Sequence, residues 1–330
     1  MIQHPAILAL TVASLLIAAM LAHAGWHGTR ILDKWDLQSG SELQLELERR
    51  TYLISVILGY TLLFQIGSLF LYIFTADSLH SQFTGAMCAA GSLSVNGYGY
   101  PVLILKIVNC LLAGVWLIVN HVDTRGYDYP LIRAKYGLLN ILVPLVLLEG
   151  LFQFLYFLNM KADVITSCCG SLFSTDKHGI ASDIAGLPPF PMQLAFFGGM
   201  AATVASGMYL YRSGRGDRLF SIISSLNFLI SAAALVSFIC LYFYELPTHH
   251  CPFCILQREY GYIGYLLYAT LLGGAICGLG AGALAPFGSL PSLSAVIPTI
   301  QRRLVLATIL LYSLFTLITV ARMLTTSFRL

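Results

Sequence analysis

Two cysteines separated by Pro-Phe, Cys251 and Cys254, stand behind the pair His249–His250 and ahead of Gln257 and Arg258 in the stretch PTHHCPFCILQR. Thiols at this spacing can close a disulfide, exchange it with a partner thiol, or clamp a metal ion. Pro252 suits the first position of a helix, which makes Cys251 the expected cap residue of the apolar segment that follows. A sulfur at that position faces the positive end of the helix dipole, and protonated His249 and His250 act in the same sense, favouring the thiolate. Cys254, one turn further in, is then placed to resolve a mixed disulfide on Cys251. Two other chemistries compete with this thiol–disulfide centre. One is a metal site with His249, His250, Cys251 and Cys254 as ligands to copper, mercury or zinc. The other is a structural disulfide.

Three more cysteines extend the pattern. Cys168 and Cys169 are adjacent, in TSCCGS, and Cys88 lies in GAMCAAGS. A thiol relay needs a second, loop-borne pair to meet its partner, and adjacent cysteines can close a strained, labile disulfide. Adjacent thiolates equally suit a soft metal ion, or could pair only to brace a loop. Cys88 makes the count odd: it could bridge to one of these thiols, add a metal ligand, or stay reduced.

The elements that must hold these residues are membrane helices. The chain has 330 residues, 58% of them hydrophobic and 10% charged, against about 25% charged in an ordinary soluble domain. Eight apolar segments, roughly 5–25, 51–76, 101–121, 136–160, 192–211, 219–244, 260–284 and 303–323, are each long enough to cross a hydrocarbon core of about 30 Å. The expected fold is all-α: a polytopic integral membrane protein forming a single membrane domain over 1–330. The first segment resembles a leader, but MIQHP has no basic residue ahead of it, so it is read as a retained helix. With Met1 outside, twelve Lys and Arg fall in inner loops, five fall outside and Lys106 lies within a span. That bias orients the chain by the positive-inside rule and places it in the cell inner (plasma) membrane, among lipid, with its redox cysteines extracytoplasmic.

This topology sorts the cysteines. The outer loops 77–100, 161–191 and 245–259 carry Cys88, Cys168, Cys169, Cys251 and Cys254, whereas the inner loops carry none. An oxidising outer face permits disulfides. Cys110, Cys240 and Cys277 fall within spans and read as small packing residues. The inner segment 26–50 contains SGSE, a capping-box pattern from Ser39 to Glu42 that predicts a short helix leading into span two. The inner loops HVDTRGYDYPLIRAKYG and YRSGRGDR read as ordinary charged turns. No nucleotide fingerprint or basic tract points to nucleotides or nucleic acid.

CPFCILQR fits Cys-x-x-Cys-x-x-(Gln/Glu)-Arg at the outer start of a membrane helix. It resembles the disulfide bond formation protein B family, membrane oxidases that pass electrons from periplasmic thiols to quinone. A looser parallel is with vitamin K epoxide reductases. The resemblance covers about twenty residues of a chain with twice that family's four helices. It implies a redox role for Cys251 and Cys254, a quinone cofactor contacted by Arg258 with Gln257 beside it, and an extracytoplasmic thiol or thioredoxin-like protein as partner. Three functions follow as expectations: a thiol–disulfide oxidoreductase, a metal transport or delivery protein, or a non-catalytic membrane subunit braced by disulfides.

Two ionisable residues lie within spans. Lys106 is less than two turns into span three, and Glu149 is near the middle of span four with Gln153 on the same face. Charges at that depth are costly. They either lock helix packing as a pair or handle the protons released by thiol oxidation. A Tyr-Gly-Tyr follows both Cys88 and Cys251, at ten and nine residues, the pattern that an internal duplication would leave.

Overall fold

Inside lipid the backbone satisfies its polar groups in helices or in closed barrels, and continuous apolar runs of about twenty residues, unlike the alternating strands of a barrel, select helices. The computed structural model, which describes residues 4–36, 39, 41–126, 128–161, 166 and 180–329, bears this out. Eight of its helices are long and apolar enough to cross a membrane, and the chain is an all-α, multi-pass membrane protein. In order the helices are α1 (Pro5–Lys34), α2 (Glu42–Ser78), the short α3 (Ala89–Leu93), α4 (Gly99–Asp123), α5 (Ile132–Leu158) and the short α6 (Ile180–Ala185). They continue with α7 (Pro189–Ser213), α8 (Asp217–Ala234), α9 (Cys240–Tyr244), α10 (Ile263–Ala283) and α11 (Val296–Thr325). A π-helical turn, Leu235–Ile239, joins α8 to α9. At about 1.5 Å per residue, the 25 residues of α4 cover about 37 Å.

The segment 26–50 departs from the expected inner loop. Helix α1 runs on to Lys34, and α2 is continuous from Glu42 through span two rather than preceded by a separate short helix. Its cap is Ser41, whose Oγ accepts the Gln44 N–H at 3.3 Å, two residues after the expected Ser39.

Two compact units are present. The first comprises Met1–Tyr72, Asn96–Met160 and Ala283–Gln301; the second comprises Ile73–Val95, Lys161–Gly282 and Arg302–Leu330. In the first unit an apolar cluster around Leu21, Leu62, Trp116 and Tyr136 packs α1, α2, α4 and α5 together. A polar network lies beside it. Lys106 Nζ is 2.7 Å from Glu149 Oε1 and 3.1 Å from Ser68 Oγ. Glu149 Oε2 accepts from Gln65 Nε2 and Asn109 Nδ2, each at 2.6 Å. Gln153 donates to Ser14 Oγ at 2.8 Å and to the Leu10 carbonyl at 3.2 Å, tying in α1.

The inner loop read as an ordinary charged turn contains a second buried ion pair. Lys135 Nζ lies 2.5 Å from Asp123 Oδ2, with both side chains inaccessible, and Asp123 Oδ1 accepts the Leu131 N–H at 2.9 Å. Asp123 thus ends α4 and begins α5 at one point.

The second unit is packed by small residues. A Cβ on Gly278 would collide with the Ser224 side chain, and one on Gly282 with that of Ser221. These two positions, four residues apart, let α10 and α8 approach closely, as small-residue motifs do in lipid, while Gly274 makes room for the Tyr312 ring of α11. Gly278→Leu should therefore destabilise the protein by about 1–3 kcal/mol through overpacking. An unchanged thermal midpoint in detergent would show that α10 and α8 do not depend on this close approach.

Candidate functional site

Helix α10 begins at Ile263, twelve residues after Cys251, so the Cys-Pro-Phe-Cys element does not cap it. Two short 3₁₀ turns, Cys254–Leu256 and Arg258–Tyr260, precede the helix, with Gln257 extended between them at φ −79°, ψ 162°. Gly261 and Tyr262 then take left-handed conformations, at φ 62° and 57°. The first carbonyls are bound from outside the loop. An α-helix starting at Pro252 would use the Cys251 and Pro252 carbonyls for its own first turn. Here Tyr244 Oη donates to the Cys251 carbonyl and Tyr268 Oη to the Pro252 carbonyl, each at 2.5 Å. The helix-dipole argument for a thiolate at Cys251 therefore does not apply. The Tyr-Gly-Tyr echo also loses its structural match, since Gly99 opens α4 directly after Tyr98, which is right-handed.

Three sulfurs meet at this loop. The Sγ atoms of Cys88, Cys251 and Cys254 all lie within 4.8 Å of one another, and Cys88 Sγ is 3.6 Å from Cys251 Sγ. All three residues are buried, Cys88 and Cys251 completely. All belong to the second unit. Cys88 immediately precedes α3, so two loops 163 residues apart in sequence converge on one point.

Gln257 is the latch between these loops. Its Nε2 donates to the Met87 carbonyl at 2.8 Å and toward Asp77 Oδ1 at 3.3 Å. Asp77 Oδ1 also accepts the Ala89 N–H at 3.1 Å, fixing the backbone on either side of Cys88. Both amide hydrogens of Gln257 are engaged within the protein. Arg258, by contrast, is exposed on its 3₁₀ turn.

The two histidines part company. His250 is buried, and its Nδ1 lies 2.9 Å from the Val236 carbonyl, in the π turn. His249 is half-buried, edge-on to Tyr244 with ring centroids 4.5 Å apart. Burial holds its pKa below the usual histidine value, with the Cys88 sulfur opposing that shift and His250 adding to it. Among the described residues neither histidine joins the sulfur cluster; the third group there is Cys88. The far end of α11 braces this region, since Arg322 binds the Tyr242 and Phe243 carbonyls and pairs with Glu245 at 3.0 Å.

Cys168 and Cys169 lie outside the described residues. Thr166, two positions before Cys168, donates its N–H to the Thr84 carbonyl at 3.0 Å, on the loop that carries Cys88. Cys110, Cys240 and Cys277 sit within long helices or their extensions, the first two fully buried. Lys106 and Glu149 belong to the first unit and the thiols to the second.

Asp77, Tyr244 and Tyr268 are site residues that sequence reasoning did not single out. An acidic residue at the end of an apolar span was a visible signal for Asp77. The tyrosines carried none, because aromatic residues are common near membrane interfaces.

Burial also governs reactivity. Buried thiols react slowly whatever their intrinsic acidity. Alkylation of Cys251 by a bulky maleimide should be at least about tenfold slower in the native protein than after denaturation, read by mass spectrometry of the Cys251 peptide. Equal rates would place the thiol at the surface. No protein-family model, characterised protein or solved structure matches the chain.

Proposed function

We propose that this protein is a membrane thiol–disulfide oxidoreductase in which Cys88, Cys251 and Cys254 form an internal relay. The 3.6 Å separation of Cys88 Sγ and Cys251 Sγ carries this reading. In the oxidised enzyme Cys251 and Cys254 share a disulfide. The Cys88 thiolate attacks Cys251, the Cys88–Cys251 bond forms, and Cys254 leaves as a thiolate. Return attack by Cys254 reverses the step. The exchange conserves electrons, and net turnover joins it to an extracytoplasmic thiol or thioredoxin-like partner on one side and an electron acceptor on the other. Cys168 and Cys169 would meet the partner, two and three residues beyond Thr166 and its bond to the Cys88 loop.

A quinone suits the acceptor role, because it takes two electrons and two protons, the equivalent of one dithiol. Arg258, exposed beside the Cys-Pro-Phe-Cys loop, would donate hydrogen bonds to a quinone oxygen. Gln257 has its amide hydrogens engaged with Met87 and Asp77, so its part is to hold the loops together. The cysteines would face the extracytoplasmic side of the inner membrane, where the positive-inside bias puts them. The buried Lys106–Glu149 pair reads as a packing lock, since Ser68, Gln65 and Asn109 hold its two ends besides the ion pair itself.

The relay is tested by trapping its intermediate. In Cys254→Ser the return attack is lost, so mild oxidation should accumulate a Cys88–Cys251 disulfide, seen as a cross-linked peptide pair. In wild type the Cys251–Cys254 loop should dominate. If Cys254→Ser stays reduced at Cys88 and Cys251 under oxidant that closes the wild-type pair, the relay is wrong.

A further inference from the structure

We infer that the reduced thiols of Cys88, Cys251 and Cys254 form a three-coordinate site for a soft monovalent d¹⁰ cation, Cu(I). This goes beyond the relay reading, since it needs only the three reduced sulfurs and no turnover.

The geometry comes first. Three thiolates around one ion at a metal–sulfur distance of about 2.3 Å would, in a trigonal plane, stand about 4.0 Å apart. The three sulfurs already lie within 4.8 Å of one another, with those of Cys88 and Cys251 3.6 Å apart. An ion at their centre therefore requires side-chain shifts of only a few tenths of an ångström. The backbone that carries them is held independently of any ion. The Cys251 and Pro252 carbonyls are fixed by the hydroxyls of Tyr244 and Tyr268, and the Cys88 loop by Asp77 and Gln257.

The donor set then selects the ion. Thiolate ligands favour soft metals, with Cu(I) foremost among biological ones. Zinc in a closed structural site takes four ligands in a tetrahedron. Among the described residues the cluster offers three, all sulfur. The nearest nitrogen candidates do not complete it: His250 Nδ1 is engaged with the Val236 carbonyl, and His249 lies outside the group and packs edge-on to Tyr244. Burial of all three cysteines also leaves little room for water as a fourth ligand. A linear two-sulfur site would leave one thiol over, whereas the convergence of two distant loops supplies a third. Binding exchanges thiol protons for the ion, so up to three protons are released and no electron moves.

One consequence concerns the relay. Metal binding and disulfide formation draw on the same three sulfurs, so each must exclude the other. A cell with excess Cu(I) would hold the protein in its metal-loaded, reduced form.

The test uses full-length protein in detergent, reduced and then freed of reductant under anaerobic conditions. It is titrated with Cu(I) against a coloured Cu(I) chelator. The expected result is one equivalent withdrawn from the chelator, with X-ray absorption showing three sulfur neighbours at about 2.3 Å. Cys88→Ser should weaken binding by at least about a hundredfold, whereas Cys168→Ser/Cys169→Ser should leave it unchanged. The absorption measurement on wild type decides the case even if Cys88→Ser folds poorly. Failure of the reduced wild type to compete, two sulfur neighbours instead of three, or loss of binding in the Cys168→Ser/Cys169→Ser protein would each overturn the inference. The relay stands or falls separately, on the Cys88–Cys251 cross-link in Cys254→Ser.

Discussion

Lys106→Met should destabilise the protein by about 3–5 kcal/mol, the cost of leaving a buried carboxylate without its cation. Glu149 is 2% exposed and Lys106 1%, so neither water nor a lipid headgroup can replace the lost partner. The remaining donors, Gln65 and Asn109, are neutral amides that hold the other carboxylate oxygen. The stranded Glu149 would take up a proton or force α2, α4 and α5 apart. The neutral double variant Lys106→Met/Glu149→Gln should recover most of the loss, because the introduced amide can still exchange hydrogen bonds with neighbouring amides that are free to flip. Unfolding in a detergent-denaturant series would measure both proteins. A single variant as stable as wild type would mean that the pair is not a lock, and would return proton handling to these residues. Recovery in the double variant with normal thiol oxidation would separate packing from chemistry.

Cys88→Ser should lower thiol oxidation by at least about a thousandfold while leaving the Cys251–Cys254 disulfide able to form. A nucleophile held next to its target has an effective concentration far above any free thiol, reaching about 10⁵ M or more in well-oriented systems. Cys88 Sγ at 3.6 Å from Cys251 Sγ is so placed, and serine at that position is too poor a nucleophile toward sulfur to substitute. Turnover would be followed with a reduced dithiol substrate and a soluble quinone analogue, beside mass mapping of the Cys251–Cys254 bond. Wild-type rates in Cys88→Ser would show that electrons reach the pair directly, leaving Cys88 outside the relay. Loss of the Cys251–Cys254 disulfide in the variant would instead give Cys88 a structural part.

The sequence by itself determined the membrane architecture. Apolar runs of about twenty residues with few charges must become helices in lipid, because no other local structure satisfies the backbone there. Each of the eight segments named from sequence overlaps one of the long helices observed, with 136–160 ending two residues beyond its helix and 260–284 beginning three before. It also marked Cys251 and Cys254 as a unit, since i and i+3 side chains meet on one face of a helical turn. The neighbourhood of that unit was decided by tertiary structure. Pro252 and the apolar run after it argued locally for a helix start, yet the loop folds into two 3₁₀ turns whose preceding Cys251 and Pro252 carbonyls are bound by tyrosine hydroxyls of the flanking helices. His250 adjoins the pair in sequence, yet it turns to a carbonyl released at a π turn fourteen residues upstream. Cys88, 163 residues from Cys251, brings its sulfur to 3.6 Å from that of Cys251. No spacing rule reaches across that interval, because which loops meet at one end of a helical bundle is fixed by how the helices pack. The Asp123–Lys135 pair teaches the same lesson. Both residues read as exposed charges in a short turn, and only the packing of α4 against α5 removes them from solvent.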